Sequence, residues 1–154
     1  MIYCIDTSAI LDGWVRYYPL DVFPALWKNL EAMIEDEELI APEEVLREIE
    51  KKEDELHKWA KAQERMFHPL DEAVQRATTE ILTEFPRLVD SEKERNRADP
   101  FVIALAKIKG CPVVTGEKAS GTKDRPKIPI VCDHFAVRYL NLLELIREKK
   151  WKFR

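Results

Sequence analysis

A chain of 154 residues with a net charge of −4, 35 % charged side chains and only four glycines has room for one buried core. It excludes collagen-like, low-complexity and disordered classes. No apolar run is long enough to span a bilayer, and the first residues lack the basic start and long apolar segment of a secretion signal, so a cytoplasmic protein is expected.

Ile2–Ile5 reads as a short buried strand ending at Asp6, followed at once by the hydroxyls of Thr7 and Ser8. Thr7–Tyr17 reads as a short helix that Pro19 interrupts. Phe23–Ile34 follows as a second helix, with Leu26, Leu30 and Met33 at helical spacing, in a core or an interface. Leu39–Ala41 is a candidate second strand. Pro42 suits a first helical position, with Glu43 and Glu44 in the first turn. A helical stripe through Val45, Ile49, Leu56, Trp59 and Met66 runs to about Phe67. Ala73, Ala77, Ile81 and Phe85 mark a further helix, and the charged stretch Ser91–Arg97 reads as a turn.

Asp99-Pro100 then opens an almost wholly apolar helix, Phe101–Lys109, closed by Gly110. Pro112–Thr115 is the next strand, with Glu117 in its exit loop. Lys118–Lys127 is a loop and Ile128–Cys132 a last short strand. Asp133 is placed as the cap of a final helix reaching about Lys149. Strands alternating with helices predict one α/β domain over residues 1–154, three-layer α/β/α, with a central, mainly parallel sheet.

The chemistry-bearing residues are acids. Asp6 stands at a strand's C-terminal end, where parallel α/β sheets bind ligands, and it equally suits a helix N-cap. Thr7 and Ser8 could hold its carboxylate or simply cap. Asp99 as N-cap with Pro100 at the next position is an ordinary helix start, and that capping role is compatible with pointing into the same crevice. Glu48, one turn after Glu44, belongs either to a solvated acidic face or to the core edge. Glu117 leaves its strand as Asp6 does, or is an exposed loop acid; Asp124 is a weaker alternative. Four converging carboxylates would hold a hard divalent cation. Cys4, Cys111 and Cys132 show no C-x-x-C spacing and His57, His68 and His134 are scattered, which argues against a disulfide scaffold or a zinc site. Cys4 and Cys132 lie in apolar runs, so buried, inert thiols are expected. No phosphate-binding glycine loop or nucleophile elbow is present.

Charge is unevenly spread. Residues 31–55 hold 12 acids and 3 bases, whereas residues 117–154 hold 5 acids and 10 bases. The basic third could grip phosphates locally or form one solvated face.

Taken together, Asp6-Thr7-Ser8, Glu44-Val-Leu-Arg-Glu48-Ile49, Arg97-Ala-Asp99-Pro100-Phe-Val-Ile-Ala-Leu-Ala106 and Val113-Val-Thr115-Gly-Glu117 resemble the PIN-domain nuclease superfamily. Tyr18-Pro19, Phe23-Pro24-Ala-Leu-Trp27, Ile40-Ala-Pro42-Glu and Lys127-Ile-Pro129-Ile-Val-Cys132 are similar to a poorly characterised branch of small prokaryotic stand-alone members. The resemblance implies a metal-dependent endoribonuclease, often a homodimer and often the toxin of a toxin–antitoxin pair, with an antitoxin protein as partner. It implies Asp6, Glu48, Asp99 and Glu117 as the catalytic, metal-binding cluster, Ser8 as its supporting hydroxyl and Mg²⁺ or Mn²⁺ as cofactor. Many members carry Asp where this chain has Glu117.

One or two such ions would serve phosphodiester hydrolysis. Lys118, Lys123, Arg125 and Lys127 would hold the RNA backbone or belong to a solvated loop. Trp151 and Phe153 could stack on RNA or dock the tail on the domain. Two other readings stand beside the nuclease: a catalytically weak RNA- or protein-binding module, and a metal-dependent phosphatase. An aspartyl-phosphate phosphatase would want an acid where Ser8 stands.

Overall fold

The computed structural model describes residues 1–52, 54–89, 98–119 and 126–153. Five parallel strands form one sheet in the order β3-β2-β1-β4-β5. β1 (Tyr3–Ile5) lies at the centre, and all three of its residues are buried, as expected of a strand covered on both faces. It pairs on one side with β2 (Leu39–Pro42), Tyr3 opposite Leu39, and on the other with β4 (Val113–Val114), Cys4 opposite Val113. β3 (Phe67–His68) extends the sheet beyond β2, and β5 (Tyr139–Leu140) extends it beyond β4. The winding direction therefore reverses between β1 and β4, and a crevice opens there beyond the carboxyl ends of the strands.

Helices cover the sheet and complete the three-layer α/β architecture: α1 (Thr7–Leu11), α2 (Pro24–Glu35), α3 (Glu43–Glu50), α4 (Asp54–Lys61), α5 (Glu72–Glu84), α6 (Asp99–Lys109), α7 (Ile128–His134) and α8 (Leu142–Glu148). α6 buries Val102, Ile103, Ala104, Leu105 and Ala106, so its nearly continuous apolar surface is used on several sides, against α5, β1, β2 and α7. Gly110 ends it in the left-handed conformation, φ 64°, which a Cβ would disfavour.

A π-helical stretch, Asp12–Tyr17, continues α1. Its Trp14 ring packs edge-on against Trp27 of α2, centroids 5.0 Å apart, and Trp27 packs likewise on Trp59 of α4 at 5.1 Å. The Trp27 indole donates to the Tyr18 carbonyl at 2.7 Å, and the Trp59 indole to Glu31 at 2.9 Å. Each ring thus buries apolar area while its one donor is satisfied. Leu26, Leu30 and Met33 are buried and belong to the core. All three thiols are buried and free. No helix among the described residues is long and apolar enough to cross a membrane.

Several elements depart from the sequence reading. Pro42 ends β2 instead of opening the next helix; its extended backbone, ψ 157°, places it as the N-cap of α3. The expected long helix to Phe67 is two helices, a 3-10 turn at Glu64–Met66 and the strand β3. Ile128–Cys132 is not a strand but most of α7, which begins Ile-Pro as helix starts do. The fifth strand is instead Tyr139–Leu140. Asp133 therefore lies exposed inside α7 and caps nothing downstream.

The last helix is capped by Asn141. Its side chain accepts from the Glu144 backbone at 2.8 Å while Glu144 accepts from the Asn141 backbone at 3.1 Å, a reciprocal capping box. Trp151 then packs on the core and docks the tail there, whereas Phe153 is exposed. The expected turn at Ser91–Arg97 lies outside the described residues. Replacing Asn141 by Ala leaves the Glu144 backbone N–H without its side-chain acceptor and should lower unfolding free energy by about 1 kcal/mol in urea titration.

Candidate metal centre

Asp6 follows β1 directly, and its backbone N–H donates to the Val114 carbonyl at 3.0 Å, which fixes it beside the β4 exit. It is the N-cap of α1: Oδ1 accepts from the Ala9 backbone at 2.8 Å. Ser8 Oγ lies 2.9 Å from both carboxylate oxygens, and Thr115 Oγ1 donates to Oδ2 at 2.7 Å. Capping and site formation are thus one arrangement. Ser8 Oγ also accepts from Gly116 N at 2.9 Å, and Thr115 Oγ1 accepts from Glu117 N at 3.1 Å. These bonds lock the turn after β4 onto the turn after β1.

Asp99 does not cap its helix. Ala98 is the N-cap, Asp99 is the first helical residue, and no side-chain cap bond forms. Its carboxylate points into the crevice instead. Asp99 is 6 % exposed and Asp6 is 2 % exposed. Carboxylate oxygens of Asp6, Asp99 and Glu117 lie within 4.8 Å of one another. Glu117 Oε2 accepts from the Ile128 backbone at 3.1 Å, so α7 orients the third acid. Glu48 stands outside this set of three. Its Oε1 accepts from Thr7 Oγ1 at 2.6 Å, and its charge still acts on Asp99. Of the four expected acids, three converge and the fourth supports from α3 through Thr7.

The electrostatics are unfavourable for three bare anions. Burial pushes the Asp6 carboxyl from its ordinary 3.8 up to about 7, against the lowering effect of its bonds to Ala9, Thr115 and Ser8; the Glu117 charge pushes the same way as burial. Asp99 is raised well above the ordinary carboxylate range by burial first, then by the charges of Glu117, Asp6 and Glu48. When Asp99 is protonated it can share that proton with Glu117, which also raises its pKa; when it is ionised, its Oδ2 is buried without a hydrogen-bond partner among the described residues. A buried acceptor in that state is costly. A hard cation among three carboxylates would satisfy it and remove the repulsion, so the donor set is one that could hold a hard divalent cation.

Residues 3–153 match a family described as a domain of unknown function, DUF4411. The chain belongs to that family. Among curated proteins none matches the chain.

In this DUF4411 chain an open groove of about 480 Å³ lies beside the acids, lined by Ser8 and Glu117 among others. Lys118 and Lys127, two of the four basic residues singled out for the phosphate backbone, also line it. Lys123, Arg125 and the alternative acid Asp124 lie outside the described residues. Thr115 was not singled out in the sequence. The available signal was a hydroxyl at a strand exit, the same signal that marked Thr7 and Ser8. Arg16 lines the groove as well, at a place that depends on the π-helical continuation of α1.

Both raised carboxyls bind protons more tightly in the folded chain than in the unfolded chain. Stability of the metal-free protein should therefore fall as pH rises above about 4 through the folded value of about 7. Thermal unfolding in EDTA should show that decline, Asp99→Asn should flatten it, and Mn²⁺ at pH 7.5 should reverse it.

Proposed function

We propose that the protein is a metal-dependent endoribonuclease that hydrolyses RNA phosphodiester bonds at the crevice between β1 and β4. The observation that carries this reading is the unpartnered, buried Asp99 oxygen, set among the Asp6 and Glu117 carboxylates at the switch point of a parallel sheet. The sequence resemblance to PIN-domain nucleases points the same way, and so do the lysines on the adjoining groove.

Asp6, Asp99 and Glu117 would hold one Mg²⁺ or Mn²⁺. The ion supplies positive charge against the phosphoryl oxygens and acidifies water at neutral pH. The chain's own contribution is order. Asp6 accepts from a backbone N–H and two hydroxyls, so its carboxylate cannot rotate away when substrate arrives. Ser8 and Thr115 tie the two crevice turns together. Glu48 adds negative charge from the far side and is held by Thr7. Lys118 and Lys127 attract the phosphate backbone without reading bases.

Hydrolysis of a generic single-stranded RNA should require Mn²⁺ or Mg²⁺ and stop in EDTA. Asp6→Asn and Asp99→Asn should each lower turnover by at least about 100-fold while the protein stays folded by circular dichroism. Thr115→Val, which removes the donor to Asp6 and the acceptor for the Glu117 backbone N–H, should cost about 10- to 100-fold. RNA binding that persists without metal, with no cleavage under any condition, would favour a binding module instead.

A further inference from the structure

The groove beside the acids has one wall made by the continuous face of α1 and the π-helical stretch, from Ser8 to Arg16, and the other by the turn after β4 together with Lys127. We propose that this groove is a nucleotide subsite in which Arg16, oriented by Asp12, holds the phosphate neighbouring the one at the acidic cluster. The proposal rests on the nuclease reading only for the phosphate at the cluster.

Gly116 sets the arrangement. A Cβ at that position would stand 2.1 Å from Asp12 Oδ2 and 3.1 Å from the Ser8 carbonyl. The Asp12 carboxylate therefore rests on bare backbone, in space that every other residue type would fill. From there Asp12 Oδ1 lies 3.6 Å from Arg16 Nη1, one helical turn on. The Arg16 side chain is 70 % exposed, and an ion pair this open adds little to stability. What the contact supplies is a bias in direction, toward the groove that both residues line. Most N–H groups of the planar, five-donor guanidinium stay free for phosphate oxygens.

The remaining surroundings suit a nucleotide. Lys118 and Lys127 bring two more positive charges, set against Asp12, which is paired, and Glu117, which faces the acidic cluster. Leu11 and Val15 contribute an apolar strip between the charged ends, fit for the flat side of a base or a sugar. About 480 Å³ accommodates a ligand of nucleotide size. π-Helical geometry, here six residues long, is often found at functional sites.

The test is fluorescence anisotropy with a short labelled single-stranded RNA in Ca²⁺ across a salt series, on the wild type, Arg16→Ala and Arg16→Lys. Steady-state cleavage in Mn²⁺ runs in parallel. Arg16→Ala should weaken RNA binding about tenfold and reduce the steepness of log K against log salt by about 0.7, the value for one lost phosphate contact on a single strand. It should raise KM with kcat unchanged, leave Mn²⁺ affinity unchanged by calorimetry, and be partly rescued by Arg16→Lys. In a double-mutant cycle, Arg16→Ala should cost less when Asp12→Asn is already present, because Asp12 acts through Arg16.

An Arg16→Ala variant with wild-type affinity and salt slope overturns the subsite, as does a wild type that binds no RNA. Zero coupling to Asp12 overturns the orienting role. A wild type that binds RNA with this Arg16 dependence yet cleaves nothing upholds the groove and overturns the nuclease reading.

Discussion

The hydrogen-bonded carboxylate of Asp6 is the constraint on which the site depends. One side chain ends the central strand, caps α1 through Ala9 and accepts from Thr115 across the sheet's switch point. Ser8 and Thr115 carry the connection onward to the backbone of Gly116 and Glu117. Truncating Asp6 to Ala would remove the cap and loosen the two turns that shape the crevice. Structural and chemical roles coincide here because the N-terminus of a helix that follows a parallel strand necessarily opens at the ligand-binding edge of the sheet.

That economy has an electrostatic cost. Asp6 and Asp99 are nearly inaccessible to water, the Asp6 charge raises the affinity of Asp99 for protons, and the Glu117 charge raises that of both. A structural role alone would not call for this: hydrophobic residues of similar volume usually serve a core as well or better. The satisfied oxygens of Asp6 contrast with the orphaned Oδ2 of Asp99. The first carboxylate is positioned by the chain, while the second is left with an open valence toward the crevice. A divalent cation accounts for both at once, and binding it would convert a destabilising cluster into a stabilising one.

Much of this was legible in the sequence. Acids placed after strand-like apolar runs identified Asp6 and Glu117, because a buried parallel strand reads as a continuous apolar block. The helix starting at Asp99 announced itself by its unbroken apolar content. Its capping role was misjudged because Asp-Pro is a good helix start whether the acid caps or, as here, occupies the first turn. Glu48 was harder to place, since helical periodicity puts it beside buried Val45 and Ile49 without saying how far its long side chain reaches.

The errors in the fold have a common origin. β3 and β5 are two residues long and carry no periodicity of their own; they exist because a neighbouring strand offers an edge. Ile128–Cys132 is rich in β-formers, but packing against α6 and the Pro129 helix start decide its form. The Gly116–Asp12–Arg16 relation joins segments a hundred residues apart and leaves no local pattern.

The most direct measurement is a calorimetric titration of the wild type and of Asp99→Asn with Mn²⁺ at pH 7.5. Saturable binding by the wild type that is lost in a folded Asp99→Asn variant is the result expected of three carboxylates built around a cation. No heat and no thermal stabilisation of the wild type up to millimolar Mn²⁺ would contradict it, and would leave Asp6 as a cap and Asp99 as a buried, protonated acid.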